Sequence, residues 1–253
     1  MKRHDAKLFP FISSMTSQRW LKQIVKLGLL LMMGAGMNAN SSTMRWKEEV
    51  VLHNGEKLIV SRTQRDDPLG FREIGQPALR VEEAISFTIP RTNKNVIWKS
   101  DFGKGREDNL SLLLLDILDD IPYIAASPRF CHAYNKWGRP NPPYVFFKFD
   151  GTNWQWISVN EFPSELKETN VMIGGYNENQ LSLPERAAPV LSAETVKRRN
   201  SSGLPSHFRT IVREPITLGV GSGAGCEELI FYKCGWISPH GTFGRDLMDR
   251  TCN

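Results

Sequence analysis

This chain lacks an apolar run long enough to cross a membrane as a helix. Its uncharged stretch Leu27 to Met37 (LGLLLMMGAGM) has 11 residues, where a span needs about 20. There is no Cys-x-x-Cys or similarly close cysteine pair, which removes the usual zinc frameworks. There is no Gly-Lys-Ser/Thr, which removes a P-loop, and no D-x-[DN]-x-[DN]-G run, which removes an EF-hand. Long amphipathic helices are missing as well, which argues against a parallel α/β fold.

The short apolar run fits a different role. Arg19, Lys22 and Lys26 precede it, and the small and polar residues Asn38-Ala39-Asn40-Ser41-Ser42 follow it. A basic n-region, an h-region of this length and a small-residue exit make a signal peptide over residues 1–39. Cleavage is expected after Ala39, with Met37 at the −3 position, or after Gly36. The first 14 residues are unusual for a leader, and Met15 is an alternative start. The competing reading is a buried N-terminal helix. No Cys follows the h-region, the first being Cys131, so a lipid anchor at that position is excluded.

Setting the leader aside also removes the charge bias. The whole chain is +5 with 32 basic and 27 acidic residues; taking away the six basic and one acidic residue of 1–39 leaves 26 of each. A neutral mature chain gives no electrostatic case for nucleic acid or anionic membrane. The expected partner is an envelope component, protein or glycan, with no nucleic acid and no integral membrane span. No cofactor is implied.

All four cysteines, Cys131, Cys226, Cys234 and Cys252, lie beyond the leader. An even number in an exported chain implies disulfides. Cys226 and Cys234 flank a strand-like segment that would extend about 26 Å at ~3.3 Å per residue, whereas bonded Cα atoms lie within about 7 Å. Cys252 is therefore expected to pair with Cys234 or Cys226, and Cys131 with the remaining one.

Strand and turn signals recur along the chain. Trp46–His53 and Glu56–Arg62 flank Asn54-Gly55, a type I′ hairpin signal. Residues 63–82 read as loop. Ala84–Ile89 and Asn95–Lys99 make a second hairpin, and 101–108 a polar loop. Asn109–Leu118 turns through Asp119-Asp120 into another strand. Pro128–Pro143 reads as a rigid loop. Tyr144–Phe149 and Trp154–Val159 pair around Asp150-Gly151. A helical turn is expected near 160–166, a strand at Asn170–Ile173, and a short helix over Ser192–Arg199 with Ser192 as N-cap. Strands are expected at Ile211–Leu218 and Leu229–Lys233, with a loop-like tail from Gly235. The fold class is mainly β: antiparallel hairpins and meanders packed as a sandwich or blade-like sheets, in one domain over 40–253. No fixed-period repeat supports a regular propeller.

The block Cys131-His-Ala-Tyr-Asn-Lys-Trp-Gly-Arg-Pro-Asn-Pro-Pro-Tyr-Val-Phe-Phe-Lys-Phe-Asp-Gly151, with Trp46-Lys-Glu-Glu-Val and His53-Asn-Gly, resembles a group of exported proteins of Gram-negative bacteria. The resemblance spans most of the mature chain. It implies residence in the envelope and carries no activity. Some of that group are lipoproteins, from which this chain departs by lacking the leader Cys.

The candidate sites are weighed against ordinary structural roles. Gly219–Gly225 resembles a dinucleotide loop only loosely, since Cys226-Glu-Glu follows in place of a helix. Ser222 lacks the flanking glycines of a nucleophile elbow. Cys131 and His132 are adjacent in sequence, which does not make a catalytic pair. His53, His207 and His240 have no metal-ligand spacing. Asp116, Asp119 and Asp120 form a carboxylate cluster best read as a solvated turn. Glu161 and Glu165 could serve as a glycosidase pair, but nothing links them to a cleft. Lys197-Arg198-Arg199 reads as a solvated helix face. The Pro140–Pro143 loop, with Trp137, Arg139, Tyr144, Trp154 and Trp156, is the candidate binding surface. Trp154 and Trp156 share a strand face, which is a ledge if exposed and core if inward. The expectation is a non-catalytic binding or accessory protein, with an envelope hydrolase and a purely structural protein as rivals.

Overall fold

The computed structural model describes residues 42–67, 79–100, 109–217 and 225–252. The expected signal peptide of residues 1–39, the glycine cluster through residue 224 and the expected loop at 101–108 lie outside the described residues. Ten strands are described, all in antiparallel sheets. β1 (Ser42–Val51), β2 (Lys57–Asp67), β3 (Leu79–Thr88) and β4 (Asn95–Lys99) form one four-stranded meander. β5 (Leu110–Leu118), β6 (Ile121–Pro128), β7 (Val145–Phe149) and β8 (Trp154–Ile157) form a second with the same order. The expected mainly β fold of paired hairpins is what the chain adopts.

Side-chain alternation explains how the sheets meet. In β4 the pattern is exposed–buried–exposed–buried–exposed, so Val96 and Trp98 face inward. Ile85 lies opposite Trp98, and Phe87 opposite Val96. These join Val50, Leu58 and Val60 in one cluster with Leu115, Ile117, Ile124, Phe147 and Phe149 of the second sheet. The two inner faces therefore share a core. The second sheet is also covered on its far face, where Leu114, Tyr123 and Phe146 meet Phe162, Leu166 and Ile211. That double cover is why β5 reads as a nearly unbroken apolar run, LSLLLLDIL. A strand buried on both faces loses its polar alternation.

The turns differ in detail from expectation. Asn54-Gly55 does not make a type I′ turn. Gly55 N–H donates to Leu52 O, Leu52 N–H donates to Glu56 O, and only Gly55 takes positive φ, at 84°. This is the three-residue hairpin loop with a left-handed glycine. Asp119 and Asp120, with φ of 51° and 63°, instead give the two-residue turn with both residues left-handed. β2 runs to Asp67 and β3 begins at Leu79, so much of the expected 63–82 loop is strand.

One end of the inner layer is ionic. Glu48 and Arg62 are both fully buried and Glu83 is 2% exposed. Arg62 Nη1 donates to Glu48 Oε1 at 2.6 Å and Nη2 lies 3.5 Å from Glu83 Oε2. Arg129 Nη1 lies 3.4 Å from Glu83 Oε1, Trp46 Nε1 donates to Glu48 Oε2 at 2.7 Å, and the Arg62 guanidinium sits 5.2 Å over the Trp46 ring. Glu48 also accepts from Met172 N–H, and Glu83 from Leu112 N–H. Two carboxylates and two guanidiniums thus compensate one another and tie both meanders to the 172 segment.

Short helices complete the chain: α1 (Cys131–Lys136), α2 (Leu183–Ala187), α3 (Ala193–Ser201) and α4 (Thr242–Thr251). α3 begins as expected, with Ser192 accepting from Thr195 N–H. α1 lies inside the stretch expected to be rigid loop. Residues 160–166 form turns without a helix, and 170–173 and 211–217 are not strands. The tail is not loop: β9 (Ile230–Tyr232) pairs with β10 (Gly235–Ile237), and α4 packs on that hairpin. A Cβ at Gly235 would come 2.7 Å from Met248 Sδ, so a larger residue there would have to displace the Met248 side chain. Among the described residues, no helix is long and apolar enough to cross a membrane.

Two disulfides staple this arrangement, Cys131–Cys226 and Cys234–Cys252, separated by 95 and 18 residues. They match one of the two expected pairings and suit an oxidising compartment. The longer loop constrains the unfolded chain more, so Cys131→Ser/Cys226→Ser should cost about 4.7 kcal/mol and Cys234→Ser/Cys252→Ser about 3 kcal/mol. Denaturant unfolding of the two double variants checks the order; a larger loss from the 234–252 pair would contradict it. Arg62→Met strips two buried carboxylates of their shared cation and should lower the unfolding free energy by about 3–5 kcal/mol. A loss below about 1 kcal/mol would show that water already enters this end of the sandwich.

Candidate functional site

β8 carries Trp154 and Trp156 on the face that also bears Phe149 and Phe147, their cross-strand partners. That face turns toward the shared core, but β8 is the last strand of its sheet. Its aromatic rings therefore reach the rim. Trp154 is half-buried, lies tilted against Phe149 with ring centroids 5.3 Å apart, and donates its indole N–H to Ile97 O of β4 at 2.8 Å. Trp156 is 65% exposed. Trp137, the C-cap residue of α1, stands edge-on to it with ring centroids 5.7 Å apart and planes at 73°. Trp137 also meets Phe147, which meets the fully buried Trp98. An aromatic chain thus runs from the core to an exposed indole.

Of the five residues expected to form a binding surface, the structure brings three together at the rim. Tyr144 is not among them. It is 4% exposed, and its hydroxyl donates to His207 O at 2.5 Å. Burial pushes its pKa up to about 12. Its place in the proline-rich loop suggested exposure, but it faces the covered side of the second sheet with Phe146. Arg139 is also engaged internally. At φ 55° it donates to Asn135 Oδ1, Glu227 O and Cys226 O at 3.0–3.1 Å, clamping the 226–227 backbone to α1 beside the Cys131–Cys226 bond. Arg139 thus ties the end of α1, where Trp137 sits, to the segment after Cys226.

The other candidates disperse. Glu161 accepts from Ser158 N–H and Oγ, while Arg198 and Arg199 bond Glu185 and Gln180. Asp119 and Asp120 form the β5–β6 turn, whereas Asp116 points elsewhere. Among the described residues, no group of three or more His, Cys, Asp or Glu side chains is placed to hold a metal ion.

Sequence reasoning missed one polar pair. His53 Nδ1 lies 2.7 Å from Asp116 Oδ1, and Asp116 Oδ2 accepts from His53 N–H at 2.9 Å. Burial pushes the Asp116 carboxyl above its ordinary value, with the His53 and Ile117 hydrogen bonds opposing. The partners lie 63 residues apart and carry no local signal. Beside them, Asn170 accepts from Leu115 N–H and donates to Leu115 O and Val51 O. A buried carboxylate that orients a half-exposed imidazole could support a general base. However, among the described residues only Asp116 bonds the His53 ring, and all four cysteines are in disulfides. The pair works as a clasp between the β1–β2 turn and β5.

No family model, no curated protein and no solved structure matches this chain.

The turn that presents β8 depends on one carboxylate. Asp150 accepts from Thr152 N–H and Asn153 N–H at 2.7 Å and from Gln155 Nε2 at 2.9 Å. The backbone donors, led by Asn153 and Thr152, hold its pKa below the ordinary value. A depressed folded pKa gives stability that is present above the unfolded value of about 3.9 and lost as pH falls through the folded one. Asp150→Asn should therefore flatten the fall in thermal midpoint between about pH 5 and pH 3. Identical acid slopes for the two proteins would mean that the carboxylate is not bonded in solution.

Proposed function

We propose that this is an exported, non-catalytic binding or accessory protein of the cell envelope, and that it engages its partner through the ledge of Trp137, Trp154 and Trp156. The observation that carries this reading is Trp156, two-thirds exposed at the end of an otherwise packed aromatic chain. A large aromatic side chain left in water on a rigid strand loses little freedom on binding, and it offers apolar area with a polar N–H edge. The leader of residues 1–39 and the two disulfides support export into an oxidising compartment. The resemblance to exported proteins of Gram-negative bacteria supports the envelope. The rival hydrolase rests on the His53–Asp116 pair alone.

Trp156→Ala should weaken association of the purified protein with a Gram-negative envelope fraction by tenfold or more, read by co-sedimentation. Stability should change little, because the ring packs mainly on Trp137. Equal binding by the wild type and the variant would remove the ledge from the function. Trp154→Ala should unfold the protein more readily, because Trp154 joins β8 to β4.

A further inference from the structure

We infer that the occupant of the ledge is an uncharged pyranose ring of a glycan, and specifically the N-acetylated glycan strand of the cell wall; this rests on the binding reading above. Three observations favour it. The first is size. Trp156 exposes 65% of its surface, roughly 160 Å² of the ~250 Å² that a large aromatic can bury. A stable protein interface needs about 800 Å² per partner. The open face of Trp156 is therefore on the scale of one sugar ring and far short of a protein interface.

The second is shape and polarity. Trp137 and Trp156 meet at 73°, giving a corner with one indole as floor and the other as wall. The C–H face of a pyranose carries slight positive charge and stacks on the negative face of an aromatic ring. Its hydroxyls then need donors and acceptors at the ring edge. Among the described residues, no strand pairs with the outer side of β8. Alternate residues of an antiparallel edge point their N–H and C=O groups outward, so polar backbone groups flank the exposed indole. β8 is only four residues long, which is short for an added peptide strand.

The third is charge. The chain beyond the leader has 26 basic residues against 26 acidic ones. A chain of zero net charge offers no overall electrostatic attraction to the phosphorylated sugars of the outer leaflet. The glycan strand of the wall is itself uncharged.

The experiment uses the full mature protein with three probes: a whole envelope fraction, protease-stripped peptidoglycan sacculi, and soluble N-acetylglucosamine oligomers. Wild type, Trp156→Ala and Trp156→Phe are compared after near-UV circular dichroism and intact mass confirm fold and disulfides. Supporting results are sedimentation of wild type with stripped sacculi, at least tenfold weaker retention of Trp156→Ala, partial recovery by Trp156→Phe, and competition by the oligomers with a change in tryptophan fluorescence. Binding to the whole fraction that depends on Trp156 but vanishes on stripped sacculi overturns the glycan and leaves the ledge, with a protein as partner. Binding that ignores Trp156 on every probe, or no binding at all, overturns both readings.

Discussion

Each four-stranded meander carries one apolar face that cannot remain in water, and the burial of each against the other is the contact on which the rest of the fold depends. Trp98, Ile85 and Val60 of the first sheet and Phe147, Ile124 and Leu115 of the second occupy the same layer. Val171, Trp137 and Trp154 close the margins of that layer. A sheet with one apolar face must bury that face against another element, and here each meander supplies the cover for the other. The segment from 158 to 213 then adds a third layer without regular strands, and it is held by side chains. Arg213 donates to Phe162 O, Tyr144 to His207 O, and Asn200 to Val171 O.

The ionic end of the inner layer sets register. Taking Glu48, Arg62 and Glu83 out of water costs several kcal/mol per ion, and mutual attraction repays this only with good geometry. Stability is therefore a poor reason for the cluster to exist. Register is a better one. Shifting β1 against β2 by one residue would move Glu48 from the inner face to the outer one and leave Arg62 among apolar neighbours. The bonds from Glu48 to Met172 N–H and from Glu83 to Leu112 N–H extend the same constraint to the loop layer and to the second sheet.

Much of this was legible in the sequence, for reasons that differ by element. β4 matched residue for residue because its alternation is strict and its neighbours are turn formers. The β5–β6 hairpin was legible from Asp119-Asp120, and α3 from Ser192. The tail was not, because α4 buries no residue fully and leaves Phe243 and Leu247 exposed, so it lacks a clear apolar stripe. Asn170–Ile173 has strand composition, yet Asn170 spends its amide capping the β5 edge, which removes the segment from the sheet. At the site, the aromatic residues were legible and their exposure was not. Trp154 and Trp156 have the same identity and share one face; only the reach of β4, whose Ile97 carbonyl receives the Trp154 N–H, buries one more than the other. Tyr144 shows the converse, since its sequence neighbours are loop residues but its ring lies under the third layer.

Sheet edges explain why the exposed indole sits where it does. An unpaired edge invites uncontrolled pairing, and folded proteins cover it, shorten it or charge it. Here the edge of β1 is bonded by Leu191 through Glu49 N–H and Lys47 O. The edge of β5 is capped by the Asn170 amide, and that of β4 receives the Trp154 indole. β8 is treated differently: it is kept to four residues, and no described strand pairs with its outer side. A short edge limits strand addition while leaving its backbone groups available. The same shortness stops the sheet from extending over its own aromatic face, so Trp156 has a packed ring on one side and water on the other. The exposed ring and the open edge are thus two consequences of one feature, the early end of β8. That coupling is the structural ground for proposing the rim of the second sheet as the binding site: it leaves an aromatic face open without offering a long edge to another strand.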